Sequence, residues 1–157
     1  MTDRCNSDKE RTNHEKGQRN EREAVNILAR VYGSGNVDKV SRYSNNDPLR
    51  FIDVLAAKDP YPVRFVQVKT NDFPPKRRLE YASVADKFDE SVKPEVWVRV
   101  DRKGWKLYEF VGEPTEWELY LEMDTCDHEE TVEAFRGAVD FYGRRSVDTD
   151  TEREVEQ

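Results

Sequence analysis

The sequence predicts an α/β domain built in the order helix, three strands, helix, two strands, with a further helix near the C-terminus. Three observations carry this. Apolar residues repeat at helical spacing after Gly17. Three short runs rich in β-branched and aromatic residues follow, divided by turn-forming sequence. A second amphipathic stretch then leads into two more such runs joined by a tight turn. At 157 residues the chain has the size of one domain, able to bury about two thirds of its unfolded surface.

In the first helix Ala24, Val25, Ile27, Leu28, Val31 and Tyr32 make the apolar stripe, and Gly33 supplies the stop. The strands are NVDKVSRY (36–43), RFIDVLAAK (50–58) and YPVRFVQVKT (61–70), separated by SNNDP and DPYP, and a meander is the simplest way to join them. After the loop NDFPPKRR, the residues Leu79, Ala82, Ala85, Phe88 and Val92 recur every three or four positions. EVWVRV and WKLYEF, joined by DRKG, form a hairpin. Asp127 and Glu130 suit a capping box for a last helix with Val132, Phe135, Val139 and Tyr142 on one face and Gly143 at its end.

The net charge of -7 hides a division. Residues 1–110 hold 22 Lys and Arg against 18 Asp and Glu, a balance of +4, whereas residues 111–157 hold 4 against 15, a balance of -11. Such asymmetry suggests a polyanion-binding core with an acidic appendage, or an acidic end that serves solubility alone. Cys5 and Cys126 make no disulfide framework and fit a reducing cytoplasm. The N-terminus lacks an apolar signal region, and no run approaches the roughly 20 apolar residues of a membrane helix. A soluble, cytoplasmic protein with no membrane partner is expected.

The residues that carry chemistry converge on RFVQVKT (64–70). Strand alternation puts Val66 and Val68 on one face and Phe65, Gln67 and Lys69 on the other. In the preceding strand Asp53 takes a mid-strand position where an apolar residue would be expected, and pairing of the two strands brings it beside Gln67 and Lys69. On the first helix, projected at about 100° per residue, Glu21 falls about 40° from Val25, inside the apolar stripe, while Arg22 and Glu23 fall outside it. Two acids, an amide and a lysine are chemistry for holding a hard cation such as Mg²⁺ or Mn²⁺ and hydrolysing a phosphodiester. The plainer alternative is a structural Asp53–Lys69 ion pair with Gln67 as its hydrogen-bonding neighbour.

The stretch KGQRNEREAVNILARVYG, followed by Asp53 in an apolar strand and by Gln67-Val68-Lys69 in the next, resembles the PD-(D/E)xK nuclease superfamily. It is most similar to the archaeal Holliday junction resolvases, which open with a KGxxxERE helix and later carry a hairpin like KGWKLYEF. The resemblance implies a restriction-endonuclease-like αβββαβ core, with a mixed central sheet flanked by helices, plus the C-terminal helix. It implies Glu21 as helical acid, Asp53 as strand acid, and Gln67 and Lys69 as the (D/E)xK pair, with Asp53, Gln67 and Glu21 around the metal. It also implies a homodimer acting on branched or junction DNA in recombination and repair. The chain departs from the pattern in having Gln67 for an acid and a longer loop, YSNNDPLRF, before Asp53. The domain organisation follows: a disordered arm (1–15), a nuclease domain (16–111), an extension with one helix (112–145) and a disordered acidic tail (146–157).

Basic residues agree with a DNA partner: Lys16, Arg19 and Arg22 at the start of the first helix, Arg42 beside the site, and Lys76, Arg77 and Arg78 after Pro-Pro. YGSGN reads as a turn, Cys126-x-His128 lacks the second ligand pair of a zinc site, and Trp97, Trp105 and Tyr108 suit a core or subunit contact. Two rivals remain in view. One is a catalytically inactive DNA-binding or assembly module that has lost catalysis through Gln67; the other is a different superfamily nuclease of restriction, repair or replication.

Overall fold

A computed structural model describes residues 12–40, 52–88, 90–112 and 116–139. The arm before residue 12, Arg42 and the rest of its loop, and everything after residue 139, including Tyr142, Gly143 and the acidic tail, lie outside the described residues.

Helix α1 spans Asn13–Tyr32. It begins four residues before Gly17, inside the arm expected to be disordered, because Thr12 and Glu15 close a capping box: Glu15 N–H donates to Thr12 Oγ1 at 3.2 Å and Thr12 N–H to Glu15 Oε2 at 3.4 Å. Gly33 ends it at φ +94°, a backbone region that favours glycine. Strands β1 (Val37–Lys39), β2 (Val54–Lys58) and β3 (Tyr61–Thr70) follow as the expected antiparallel meander, in register Lys39↔Val54 and Val54↔Val66. Helix α2 (Pro75–Ala85) carries the chain to β4 (Val92–Val100), which pairs parallel to β3 with Lys69 opposite Val98. β5 (Gly104–Gly112) returns antiparallel.

Three departures follow. Glu116–Met123 is a sixth strand, β6, antiparallel to β5, so the sheet continues into the stretch expected to hold one helix, and the boundary at 111/112 falls inside β5. On α2 the buried residues are Tyr81, Ala82 and Ala85, while Leu79 is 57% exposed. Tyr81 takes the inward place because its ring stacks on Phe73, with centroids 5.9 Å apart. Helix α3 covers 128–139; Asp127 caps it as expected, accepting from Glu130 N–H at 2.9 Å, but the Glu130 carboxylate turns to the Thr125 hydroxyl instead of the cap backbone.

The result is a mixed six-stranded sheet, order β1-β2-β3-β4-β5-β6, with helices on both faces. On one face α1 and α3 bury Ala24, Ile27, Leu28, Val132 and Phe135 against Val54, Val66, Val68, Trp97, Trp105 and Leu107. On the other, α2 covers a smaller cluster of Phe73, Tyr81, Val96 and Val98. Trp97 and Trp105 are core residues, as expected, edge to face at 5.9 Å. Among the described residues no helix is long and apolar enough to cross a membrane.

A buried ion pair sits in the larger core. Arg64 Nε donates to Glu95 Oε2 at 2.7 Å, Trp97 Nε1 to Glu95 Oε1 at 2.9 Å, and the Tyr120 hydroxyl to the same oxygen; Arg64 also donates to the Tyr32 hydroxyl, which itself donates to the Pro62 carbonyl. Burial pushes the Tyr32 hydroxyl up to about 12 and the Tyr120 hydroxyl well above its ordinary value, the Glu95 charge adding to the latter. Both phenols therefore stay neutral donors. Removing one partner of such a pair leaves an uncompensated buried charge, so Arg64→Met should lose about 3–5 kcal/mol in urea unfolding, against little or no change for Arg77→Met, whose pair with Glu80 is at the surface.

Candidate functional site

Asp53 stands immediately before β2 and bridges its neighbours. Its carbonyl accepts from Val40 N–H and its own N–H donates to the Val66 carbonyl, each at 2.9 Å. The side chain is buried, and Oδ2 accepts from Val68 N–H at 2.9 Å, so the carboxylate is fixed against the β3 backbone. Continuing the Val54↔Val66 register by one step sets Asp53 opposite Gln67, as the sequence led us to expect. Gln67 is 8% exposed and its Oε1 is a buried acceptor with no hydrogen-bond partner among the described residues. It lines a shallow recess with Ile52, Phe65, Tyr81, Phe88 and Trp117. Lys69, half-buried, lies two residues on along the same strand face.

Glu21 stands differently. Its carboxylate pairs with Lys39 at 2.9 Å, and Lys39 is the Cα partner of Val54, the residue after Asp53. Val54 and Val66 belong to the core under α1, whereas Gln67 lines the recess under α2, so the sheet separates the helical acid from the strand residues by face. Where β3 ends, on the face that α1 covers, Asn20 Nδ2 donates to Thr70 Oγ1 at 3.0 Å. The inward acid of α1 is Glu23, which the helical projection placed outside the stripe. It is 6% exposed, accepts from Trp105 Nε1 at 3.1 Å and lies 3.7 Å from Arg99 Nε. The projection missed it because Glu23 is brought in by partners from β4 and β5.

The basic residues divide. Lys16 is bound to Asp101 at 2.6 Å, Arg19 is forked onto Asn20 Oδ1, and Arg78 donates to the Phe73 carbonyl and lies over the Phe73 and Tyr108 rings. Lys16 and Arg78 thereby tie separate parts of the fold together. Arg22, Lys76 and Arg77 are exposed, Arg77 within reach of Glu80. The sequence reading missed two exposed cations, Arg102 and Lys103, in the β4–β5 turn. Their turn was recognisable as DRKG; its position was not, because it depends on β4 running parallel to β3. That pairing puts the turn at the end of the sheet where β3 finishes and α2 begins.

Cys126 departs from the expectation of reduced thiols: it is disulfide-bonded.

Among the described residues no group of three or more His, Cys, Asp or Glu is placed to hold a metal ion. The oxygen set at Asp53 is smaller: one carboxylate and the unpartnered Gln67 amide oxygen. The chain matches no protein-family model and no curated protein sequence.

At the site's end of the sheet Asp101 takes hydrogen bonds from Lys16 and from Asn71 Nδ2, at 2.6 and 3.2 Å. Burial pushes its carboxyl up, but those hydrogen bonds and the ammonium charge outweigh it and hold the group below its ordinary range. A depressed carboxylate stabilises the fold above the unfolded value, near 4, and loses that contribution as pH falls through the folded value. The Tm advantage of wild type over Asp101→Asn should accordingly be full at pH 6 and shrink on acidification below pH 4, as read by thermal unfolding across pH.

Proposed function

We propose that the chain is a metal-dependent DNA endonuclease of the PD-(D/E)xK type with a restriction-endonuclease-like core, selective for branched or junction DNA and active as a homodimer. The observation that carries the reading is the pairing of a buried strand carboxylate, Asp53, with a buried amide oxygen, Gln67 Oε1, that has no hydrogen-bond partner among the described residues. An orphaned buried acceptor is costly, and a cation is one thing that would satisfy it. The order α1-β1-β2-β3-α2-β4, with only the β3–β4 pair parallel, agrees with the core that the motif resemblance implies.

Asp53 and Gln67 fit a hard divalent ion that takes oxygen ligands and keeps several waters. Bound there, Mg²⁺ or Mn²⁺ would supply charge neutralisation at a phosphate oxygen. The Val68 N–H holds the Asp53 carboxylate in one orientation, and the sheet excludes water from its far side. Lys69 would present its ammonium to the phosphate or to the attacking water. Glu21, neutralised by Lys39 beneath α1, would orient groups at the sheet end and not ligate directly.

Asp53→Asn keeps an acceptor for the Val68 amide and removes the charge, so Mg²⁺-dependent cleavage of a four-way junction should fall below detection with DNA binding and Tm nearly unchanged; Glu21→Gln should fall less. Retained metal-dependent cleavage by Asp53→Asn would sink the assignment. Gln67→Glu should lower the Mg²⁺ concentration that half-saturates cleavage. Activity in Gln67→Glu and none in wild type would instead identify a DNA-binding module that has lost catalysis. Flaps and linear duplexes assayed beside the junction test the substrate preference.

A further inference from the structure

We infer that the β4–β5 turn, Asp101–Lys103, is a preorganised grip on the phosphate backbone of DNA, set a few nucleotides away from the reacting phosphodiester. The inference rests on the nuclease reading and adds a contact that the motif resemblance did not assign. Arg102 and Lys103 are exposed at the tip of the turn. What distinguishes them from other surface cations is how firmly the turn beneath them is held.

Asp101 is tied from two sides. Lys16 of α1 reaches it at 2.6 Å, and Asn71, in the loop leaving β3, both donates to its carboxylate at 3.2 Å and accepts from its N–H at 2.8 Å. Lys103 N–H closes the turn onto the Val100 carbonyl at 3.0 Å. Gly104 then passes so close to β6 that a Cβ there would meet the Met123 carbonyl and lie 2.7 Å from the Thr125 carbonyl oxygen. Among the described residues two non-glycines have positive φ, and both belong to this clamp: Asn71 at 69° and Arg102 at 64°. Asparagine tolerates that conformation through its short polar side chain. At Arg102 a long cation occupies a position that glycine would fill without strain.

The location fits the purpose. Lys69 is paired with Val98, and Asp101 follows three residues later, about 10 Å further along at roughly 3.3 Å per residue. That is about three base pairs at roughly 3.4 Å each. Exposed Lys76 and Arg77 open α2 at the same end of the sheet, which suits a strand crossing that end. A rigid turn presenting two cations binds a polyanion with little ordering of its own backbone, which is the advantage of preorganisation.

The test measures binding of a fluorescent duplex of about 30 base pairs to the full chain in EDTA, across a series of salt concentrations. Arg102→Ala with Lys103→Ala should bind at least about tenfold more weakly at low salt, and its log–log salt slope should be shallower by about two, at roughly 0.9 per lost phosphate contact. Arg102→Gly separates grip from scaffold: Tm should stay level or rise as strain is relieved, while affinity falls. A wild-type protein that binds the duplex, beside variants with unchanged affinity and slope, overturns this inference and leaves the nuclease reading standing. A wild-type protein that binds neither duplex nor junction at low salt overturns both.

Discussion

The buried Arg64–Glu95 pair is the interaction around which the rest of the structure is arranged. It joins β3 to β4, the one parallel pair in the sheet, and through Tyr32, Trp97 and Tyr120 it draws in the end of α1 and strand β6. A surface pair such as Arg30–Glu129 spans two helices at 2.7 Å but stands in water, which screens it. The buried pair differs because a shift of register would strand a charge in an apolar core, at a penalty of several kcal/mol. Its contribution is therefore to specificity as much as to stability: it excludes the wrong alignment of β3 and β4. Once that alignment is fixed, Lys69, Asn71, the start of α2 and the β4–β5 turn arrive at one end of the sheet.

What the sequence revealed was what local periodicity encodes. The third strand could be read to the residue because its apolar and β-branched run is bounded by turn chemistry at one end and by Asn71 and Pro74 at the other. Strand β6 alternates Trp117, Leu119, Leu121 and Met123 with Glu118 and Glu122, a visible period of two, yet its acidic content drew attention to charge instead. The error over Glu21 and Glu23 is of another kind. A helical wheel ranks residues by their own helix, whereas Glu23 is buried because Arg99 and Trp105 meet it from strands more than 70 residues later. Tertiary pairing overrode the local pattern, and no reading of the helix alone would have found it.

The basic residues illustrate the same separation between what a charge is and what it does. Lys16 and Arg78, which the sequence offered as phosphate contacts, are committed to Asp101 and to the Phe73 carbonyl and ring. Their role is to fix the turn and the α2 entry, so that the exposed cations nearby point from defined positions. A chain with a net charge of -7 can present a locally positive surface in this way, because screening over roughly 10 Å limits how far distant acids are felt.

Gln67 gathers these arguments at a single atom. A carboxylate in its place would lie opposite the buried Asp53, and two acids side by side in low dielectric would repel, raising a pKa and loosening the strand pair unless a cation were present. The amide removes that repulsion while keeping one oxygen that has no hydrogen-bond partner among the described residues. On the nuclease reading, that exchange would favour a site that is stable without metal and would bind it weakly until a phosphate completed the shell. A neutral ligand beside a fixed carboxylate would then make metal and DNA binding interdependent, since each would supply what the other lacks.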